Sequence, residues 1–529
     1  MPKKIDKIVI VGGGSAGWMS AAHLIKFFPN KEIVVVESPD IPIVGVGEST
    51  LGQIRNWTHA LGIDEKDFMK YTNASYKMSI KFTDFYKKDA GSFHYPFGVP
   101  VFIDAPEELL EWQAKKILYP DTPVADYART YYPIMPLVEN NKYTTNEDGE
   151  LDGFRSDLSV AYHFDSALFG QWLKNNFCIP RGVKNIRQTV INIPTNDNGI
   201  QHLALDNGDI VTADLFIDCT GWKSLLLDKT LNEPFISWED TLPNNKAWAT
   251  QVDYKEKEKE LEGYTNCTAI DNGWIWNIPL WSRLGTGYVY SDKFISDEDA
   301  LTEFKQYLMS DKMTVPRTQE EVDSYNYRNI TMRVGIHERT WVKNVVAIGL
   351  SAGFIEPLES NGLFTVHEFL TSLVNTLERE YITQWDKDVY NSACKAMYTN
   401  FAEFVSLHYA LSVRDDTPYW VEATSKTYSN DLVHRTPTTH VGFHDLAERK
   451  MFKFAHEGGG GIHCISTGMN YFMLHRHQLI FAENHRGIDA KLHCDEFVFR
   501  RKFLQQKWQA VADRAPTLYQ YLKDKVHNE

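Results

Sequence analysis

The sequence predicts an α/β protein built on a Rossmann-like nucleotide-binding module. Three features near the N-terminus predict this fold: an apolar run at residues 8–11, a glycine-rich stretch directly after it, and a second apolar run at residues 33–36. Continuous runs of β-branched residues are typical of parallel strands that are buried on both faces. A strand, a glycine loop, a helix and a second strand in this order form the βαβ unit that binds dinucleotides.

The glycine loop, "GGGSAG" at residues 12–17, has the G-x-G-x-x-G spacing and precedes a helical apolar pattern at residues 18–28. Glycines permit a tight turn and a close backbone approach, and the N-terminus of the helix then faces a pyrophosphate. Glu37 follows the second apolar run, near the position where an acidic residue holds a ribose. The nucleotide-binding residues predicted from this unit are Gly12, Gly14, Ser15, Ala16, Gly17 and Glu37.

Two later segments predict further strands of the same sheet. "ADLFIDCTGW" at residues 213–222 and "NVVAIGLSAGF" at residues 344–354 are apolar runs that end in small residues. Such returns to the nucleotide sheet after long insertions resemble the two-domain FAD proteins of the aromatic-hydroxylase type, which implies FAD as the cofactor. Because no second complete G-x-G-x-x-G unit stands out for NADH, we expect the reduced flavin to come from another protein.

Composition excludes several classes of partner. The 529 residues include 55 Lys and Arg against 70 Asp and Glu, a net charge of −15, so we expect no nucleic-acid or membrane partner. The six scattered cysteines form no C-x-x-C pair, and the histidines between residues 456 and 477 match no familiar zinc spacing. We therefore expect reduced thiols, no metal site and a cytoplasmic protein without a signal peptide or a membrane-spanning run.

The stretch "NGWIWNIP" at residues 272–279 predicts a strand between a glycine and a proline. Side chains alternate between the faces of a strand, so Trp274 and Trp276 point the same way and form one aromatic wall. Taken alone, the motif is equally well explained as a buried aromatic pair in a core strand.

Together with "GVGEST" at residues 45–50, "YKMSIKF" at residues 76–82 and "EPLESNG" at residues 356–362, this motif makes the chain resemble the flavin-dependent tryptophan halogenase family. The resemblance runs from the first strand to about residue 420 and is weaker in the last hundred residues. It implies that "GVGEST" covers the flavin and that Trp274 and Trp276 line the flavin side of a closed path for the oxidant. The further cofactor-binding residues that it implies are Gly45, Val46, Gly47, Glu48, Ser49, Thr50, Gly349 and Leu363.

Residues 76–83 alternate apolar and polar side chains, which predicts one strand with a polar face. For Lys81 we expect a solvated position on that face. For Lys77 the resemblance implies the reaction centre, where the lysine hydrogen-bonds hypohalous acid or captures it as a haloamine. Its ammonium form positions and polarises the electrophile.

In "EPLESNG" the resemblance implies that Glu359, with Ser360 beside it, stabilises the cationic intermediate of aromatic substitution and accepts its proton. It also implies that the backbone amides of Asn361 and Gly362 bind halide. Asn361 stands where the family more often has threonine, which leaves the halide preference open. A helix start capped by Ser360 or Asn361 would account for the same residues and is compatible with this role.

Substrate contacts are also implied by the resemblance. Family members that act on free tryptophan usually carry a tyrosine pair where this chain has Ile462 and His463, and a histidine where it has Tyr95, two residues before Phe97. Ile462 cannot hydrogen-bond a carboxylate, and an unsatisfied buried polar group costs about 1–3 kcal/mol. We therefore expect free tryptophan to be a poor substrate, unless the match in this region is out of register and other residues hold it.

The resulting hypothesis is an FADH2- and O2-dependent halogenase that makes hypohalous acid and delivers it through Lys77 to an indole, a phenol or another electron-rich aromatic. Chloride, bromide and iodide are all expected halides, and a separate NADH-dependent flavin reductase is the expected partner. One alternative is a single-component flavin-dependent aromatic monooxygenase, a hydroxylase or epoxidase that would oxidise NAD(P)H by itself. Another is a flavin-binding protein without turnover.

The expected domains are an FAD-binding module with inserted substrate-facing β segments at residues 1–385 and a mainly helical substrate-binding region at residues 386–529. Composition leaves the oligomeric state open, including a homo-oligomer.

Overall fold

The computed structural model describes residues 4–40, 48–101, 108–145, 151, 154–426, 460–471, 484 and 489–528. The chain forms two compact units and enters each of them three times. The first unit comprises Met1–Ala74, His163–Lys246 and Ile330–Ala402, and the second comprises Ser75–Tyr162, Ala247–Asn329 and Glu403–Glu529. The domain boundary expected after residue 385 remains a prediction.

The strands are short, and most of them belong to two larger sheets. They are β1 (Lys7–Val11), β2 (Glu32–Glu37), β3 (Glu48–Ser49), β4 (Ser75–Lys77), β5 (Ser79–Thr83), β6 (Ser92–Pro96), β7 (Ala161–Phe164), β8 (Lys184–Arg187), β9 (Val190–Asn192), β10 (Thr195–Asn196), β11 (Gly199–Ile200), β12 (Leu203–Leu205), β13 (Ile210–Val211), β14 (Leu215–Asp218), β15 (Phe235–Ser237), β16 (Lys246–Val252), β17 (Tyr264–Ile270), β18 (Gly273–Pro279), β19 (Leu284–Tyr290), β20 (Arg328–Thr331), β21 (Gly335–His337), β22 (Trp341–Val342), β23 (Val345–Ala347) and β24 (Gly353–Phe354).

The helices lie between these strands and make up most of the described chain after residue 384. They are α1 (Ser15–Phe27), α2 (Ile54–Leu61), α3 (Glu65–Tyr71), α4 (Glu108–Leu118), α5 (Asp126–Tyr131), α6 (Met135–Glu139), α7 (Ser156–Ser159), α8 (Ser166–Trp172), α9 (Lys257–Glu260), α10 (Asp297–Met309), α11 (Gln319–Ser324), α12 (Gly362–Leu377), α13 (Gln384–Ala410), α14 (Pro418–Ser425), α15 (Gly460–Gly468), α16 (Ala490–Arg514) and α17 (Leu518–Leu522).

The first unit is built on a six-stranded sheet in the order β22-β23-β14-β1-β2-β8. β1 pairs in parallel with β2 and with β14, and β14 pairs in parallel with β23. β8 extends the sheet in parallel beyond β2, whereas β22 is antiparallel to β23. The expected returns to the nucleotide sheet are confirmed, because "ADLFIDCTGW" supplies β14 and "NVVAIGLSAGF" supplies β23.

The second unit contains five consecutive strands of a seven-stranded sheet, in the order β19-β18-β17-β5-β6. β18 pairs antiparallel with β17 and β19, and β17 pairs in parallel with β5. One face of this sheet packs on α10, since Ile275 and Tyr288 share a buried cluster with Phe304 and Leu308. The side chains at positions 274 and 276 therefore point to the opposite face.

The prediction of a single strand over residues 76–83 is wrong. β4 ends at Lys77 and β5 begins at Ser79, and the two strands belong to different sheets. Between them, the N–H of Met78 donates to the carbonyl of Gly263 at 2.7 Å, and its carbonyl accepts from the N–H of Phe97 at 2.8 Å. The alternating pattern persists through the break because both halves are extended.

The described helices include none that is long and apolar enough to cross a bilayer. All six cysteines are buried free thiols.

Candidate functional site

The glycine loop after β1 has a backbone that requires glycines. Gly12 has a φ of +115°, and a Cβ at this position would overlap the backbone carbonyl of Cys219, just past the end of β14. A Cβ at Gly17 would overlap the carbonyl of Gly12. These two glycines allow the loop to pack closely on itself and on the neighbouring strand.

The same loop leaves room for a ligand at the start of α1. A Cβ at Gly14 would meet no atom within 4 Å. α1 begins at the next residue, Ser15, and has no acidic side chain in its first turn. Because a helix N-terminus carries a partial positive charge, the residues present fit the pyrophosphate of a flavin dinucleotide.

Two sequence-distant segments pack against this loop. The hydroxyl of Ser15 donates to the carbonyl of Ser166, the first residue of α8, at 2.9 Å. Gly349 follows β23 with a φ of +73°, and a Cβ there would come within 2.9 Å of the Ala16 methyl. The predicted residues Ser15, Ala16 and Gly349 therefore lie together.

Glu37 ends β2, and two contacts fix its carboxylate beside the loop. Oε1 accepts a hydrogen bond from Nζ of Lys174 at 2.5 Å. Oε2 lies over Gly13, where a Cβ would overlap it. Sequence reasoning missed Lys174, because it lies 137 residues from Glu37 and stands in no motif.

The turn before α12 holds two buried carboxylates. Oε2 of Glu356 accepts a hydrogen bond from Nδ2 of Asn244 at 2.8 Å. Glu359 ends the 3₁₀-helix Pro357–Glu359 with 1% of its surface exposed. Ser360 follows with a φ of +57°, a conformation that is strained for a non-glycine residue and common at functional sites.

Neither Ser360 nor Asn361 caps α12 with its side chain. The hydroxyl of Ser360 donates to Oγ of Ser49 at 3.0 Å, and Asn361 is the N-cap residue without a side-chain cap bond. α12 has no acidic side chain in its first turn, and its first residue, Gly362, is exposed. The main-chain N–H groups of this helix start can therefore bind an anion.

Glu48, the first described residue of "GVGEST", lies close to the same helix start. Its Oε2 is 4.0 Å from the position that a Cβ of Gly362 would occupy. Burial, and to a lesser degree the charge of Asp165, raises the pKa of Glu48 to about 7. Near neutral pH part of the Glu48 population is therefore uncharged, which weakens its repulsion of an anion at α12.

The remaining cofactor residues implied by the resemblance divide into two groups. Ser49, Thr50 and Leu363 are buried in the first unit. Outside the described residues lie Gly45, Val46 and Gly47.

In the second unit, Lys77 is the last residue of β4, and 0% of its surface is exposed. Its Nζ lies 5.1 Å from the centre of the Phe97 ring, within the range of a cation–π interaction. Tyr95 meets the Phe97 ring nearly at right angles, with 5.9 Å between ring centres. Lys77, Tyr95 and Phe97 therefore form one cluster.

Lys81 is less exposed than a fully solvated lysine, although part of its surface meets solvent. Lys81 is half-buried, and its Nζ lies 5.6 Å from the centre of the Tyr264 ring. The aliphatic part of a lysine side chain packs readily on an aromatic ring. Lys81 thus contacts a different ring from Lys77, because the two residues lie on different strands.

Trp274 and Trp276 lie on β18 and share the face opposite α10. Both side chains are buried, and their ring centres are 6.1 Å apart with 60° between the planes. Gly287 pairs with Trp276 across β18 and β19 and has no room for a Cβ, because the Trp276 ring covers it. The aromatic wall is present, and its role along an oxidant path remains a prediction.

α15 carries Ile462 and His463, which are both buried. A Cβ at Gly461 would lie 2.8 Å from the Phe404 ring and 3.1 Å from the Tyr95 ring and hydroxyl. The helix therefore packs directly against Tyr95. The histidines at positions 456, 475 and 477 lie outside the described residues.

The predicted site residues are thus brought together in separate groups. The first unit holds the glycine loop with Glu37 and Gly349, and also the turn that carries Glu359. The second unit holds Lys77 with its aromatic neighbours, the tryptophan pair and α15.

Comparisons with known proteins identify the family of the chain. The profile of the family described as Tryptophan halogenase matches residues 7–455. Tryptophan 6-halogenase SttH from Streptomyces toxytricini is 33% identical over 454 residues, which cover 81% of this chain and 83% of SttH. The apo structure of VirX1 matches 100% of both chains with a TM-score of 0.88 and 36% identity. BrvH, a flavin-dependent halogenase from Brevundimonas sp. BAL3, has a TM-score of 0.83 and 27% identity, covering 98% of this chain and 99% of BrvH. The chain therefore belongs to the tryptophan halogenase family and is a flavin-dependent halogenase.

Proposed function

We propose that the protein halogenates an electron-rich aromatic ring of indole or phenol type at Lys77, using reduced FAD, O2 and a halide ion. The complete burial of Lys77 carries this proposal. Taking an ammonium group out of water costs several kcal/mol, and a strand residue with only a packing role is more stable as an apolar side chain. In a flavin-dependent halogenase, a buried lysine is suited to binding hypohalous acid or capturing it as a haloamine.

The flavin, when bound, supplies with O2 the two-electron oxidation of a halide ion to hypohalous acid. Lys77 donates a hydrogen bond to the oxygen of hypohalous acid, which makes the halogen more electrophilic. The ring carbon bonds to the halogen while the halogen–oxygen bond breaks, and the oxygen leaves as water after taking up a proton. Loss of a proton from the ring carbon then restores aromaticity, and the family resemblance alone assigns the acceptor role to Glu359.

The halide ion is held, in this proposal, by the main-chain N–H groups of Asn361 and Gly362. Support comes from the start of α12, which has no acidic side chain in its first turn and no side-chain cap. A halide there would interact favourably with the positive end of the helix dipole.

A separate NADH-dependent reductase supplies the reduced flavin in this proposal. The support is that one dinucleotide fingerprint, at residues 12–17, stands out in the sequence. A single-component monooxygenase would oxidise NAD(P)H by itself, and the comparisons give that alternative no support.

Free tryptophan is a poor substrate in this proposal, although SttH is named as a tryptophan 6-halogenase. Ile462 is buried on α15 and offers no hydrogen bond to a carboxylate or an ammonium. A polar head group placed against it would lose about 1–3 kcal/mol for each unsatisfied hydrogen-bonding group.

Mass spectrometry of the reaction products tests the proposal. Indole or phenol is incubated with the protein, FAD, NADH, a flavin reductase, O2 and chloride, bromide or iodide in turn. We expect a product heavier by one halogen minus one hydrogen, with methionine present to scavenge any hypohalous acid that leaves the protein. A hydroxylated product, or halogenation that stops when the scavenger is added, would contradict the proposal.

A further inference from the structure

We infer that Lys174 is a positioning residue for the adenosine half of the flavin cofactor, and that it acts through Glu37. This inference rests on the flavin dependence of the protein and not on the halogenation chemistry at Lys77. It concerns residues of the first unit alone.

Lys174 reaches the nucleotide loop because α8 is packed on that loop. The hydroxyl of Ser15 donates to the carbonyl of Ser166 at 2.9 Å, and a Cβ at Gly170 would lie 3.5 Å from the Cα of Ser15. α8 then continues as the π-helix Leu173–Cys178, a rare conformation that is often found at functional sites. Lys174 is the second residue of that turn.

The Lys174 ammonium is held from two sides. Its Nζ donates to Oε1 of Glu37 at 2.5 Å and lies 5.2 Å from the centre of the Trp18 ring. The side chains of Lys174 and Glu37 are only 20% and 15% exposed. Solvent and salt screen such a pair less than a surface pair, so the contact fixes the orientation of the Glu37 side chain.

Gly13 completes the arrangement from the other side. Oε2 of Glu37 occupies the space that a Cβ at Gly13 would fill. Any other residue at position 13 would therefore move the carboxylate away from the loop. The carboxylate is held between Lys174 and the loop backbone, beside the helix start that fits the pyrophosphate.

A carboxylate in this position accepts hydrogen bonds from the adjacent hydroxyls of an adenosine ribose. FAD and ADP contain that ribose, whereas FMN does not. Lys174 should therefore favour FAD and ADP without contributing to the binding of FMN.

Ligand titrations of the flavin-free full-length protein test this inference. FAD, ADP and FMN are titrated against wild type and Lys174→Met, with affinities measured by fluorescence or calorimetry. We expect Lys174→Met to weaken FAD and ADP by the same factor, about five- to thirty-fold, because a charge-assisted contact is lost. The affinity for FMN should stay within about twofold.

Lys184→Met is the matched control. Lys184 also pairs with a glutamate on β2, Glu32 at 2.8 Å, but both side chains are exposed. The Lys184→Met variant should bind FAD like wild type, since exposed pairs contribute little.

A second comparison separates positioning from folding. Lys174→Arg should restore most of the FAD affinity, and Lys174→Met should add no further loss in a Glu37→Gln background. The inference is overturned if Lys174→Met binds FAD like wild type, or if it weakens FMN as much as FAD. If the wild-type protein binds FAD but forms no halogenated product, the proposed function fails while this inference can still be tested by the titrations.

Discussion

Replacing Gly287 with alanine should displace Trp276 and separate flavin chemistry from halogenation. Gly287 lies directly opposite Trp276 in the β18–β19 pair. A Cβ at Gly287 would lie 2.6 Å from the carbonyl oxygen of Trp248 and closer still to Cζ2 and Cη2 of Trp276. Ordinary carbon–oxygen contacts are about 3.3–3.6 Å, so the methyl group overlaps the Trp248 carbonyl by at least about 0.7 Å. It lies closer still to the Trp276 ring, so both the ring and the strand backbone have to move.

The expected cost of this overpacking is about 1–3 kcal/mol. For a unit of this size each kcal/mol lowers the Tm by about 2–4 °C. Thermal unfolding should therefore show a fall of about 2–12 °C. Binding of FAD should remain close to wild type, because the glycine loop belongs to the other unit. Halogenated product should fall while reoxidation of reduced flavin continues.

A double-mutant cycle identifies the cause. Phenylalanine lacks the Cζ2 and Cη2 atoms of tryptophan, so Trp276→Phe should remove the overlap with the ring, while the overlap with the Trp248 carbonyl remains. The double variant should be more stable than the sum of the single changes by about 1 kcal/mol or more. Trp274→Phe is the control, since Trp274 pairs with Val289 and should give no rescue. Additive effects within about 0.5 kcal/mol would refute the reasoning.

Four further outcomes are expected. Lys77→Met should abolish halogenated product while flavin reoxidation continues, whereas Lys81→Met should retain most product; equal losses by mass spectrometry would refute the assignment. Stopped-flow mixing of the oxidised protein with NADH should show no rapid flavin bleaching unless a reductase is added. In a competition between L-tryptophan and indole, indole should be halogenated faster, and a clear preference for tryptophan with a single regioisomer would contradict this. Burial, and then the charge of His367, lowers the pKa of His23 to about 3, so its stabilising contribution is present above pH 6.5 and is lost as the pH falls. At pH 5 this group should lower the free energy of unfolding by about 2 kcal/mol relative to neutral pH. His23→Asn should remove this pH dependence because asparagine does not titrate. The variant should still fold, since asparagine can accept the hydrogen bond that Nε1 of Trp57 donates to His23 at 2.9 Å.

Local backbone rules explain which parts of the fold could be predicted from the sequence. The glycine loop was predictable because a positive φ and close backbone approach select glycine at defined spacing. The common face of Trp274 and Trp276 was predictable because side chains on a strand repeat every two residues. Both predictions depend only on neighbouring residues along the chain.

Other features depend on partners that sequence spacing cannot show. The break at Met78 arises because the chain changes sheets there, while the alternating pattern on each side looks the same. The contact between Lys174 and Glu37 depends on how α8 packs on the nucleotide loop. The half-buried position of Lys81 depends on the ring of Tyr264 in a neighbouring strand.

Asn361 departs from the threonine that the family more often has at the proposed halide site. A side-chain cap at this position would engage N–H groups of the first turn of α12 and remove donors from an anion. Asn361 forms no such cap, and its buried Nδ2 has no hydrogen-bond partner among the described residues. With asparagine at position 361, the main-chain donors at the helix start are therefore left available to an anion. What the asparagine changes is the volume and polarity beside those donors, so its effect should fall on the choice between halides and not on the ability to hold one.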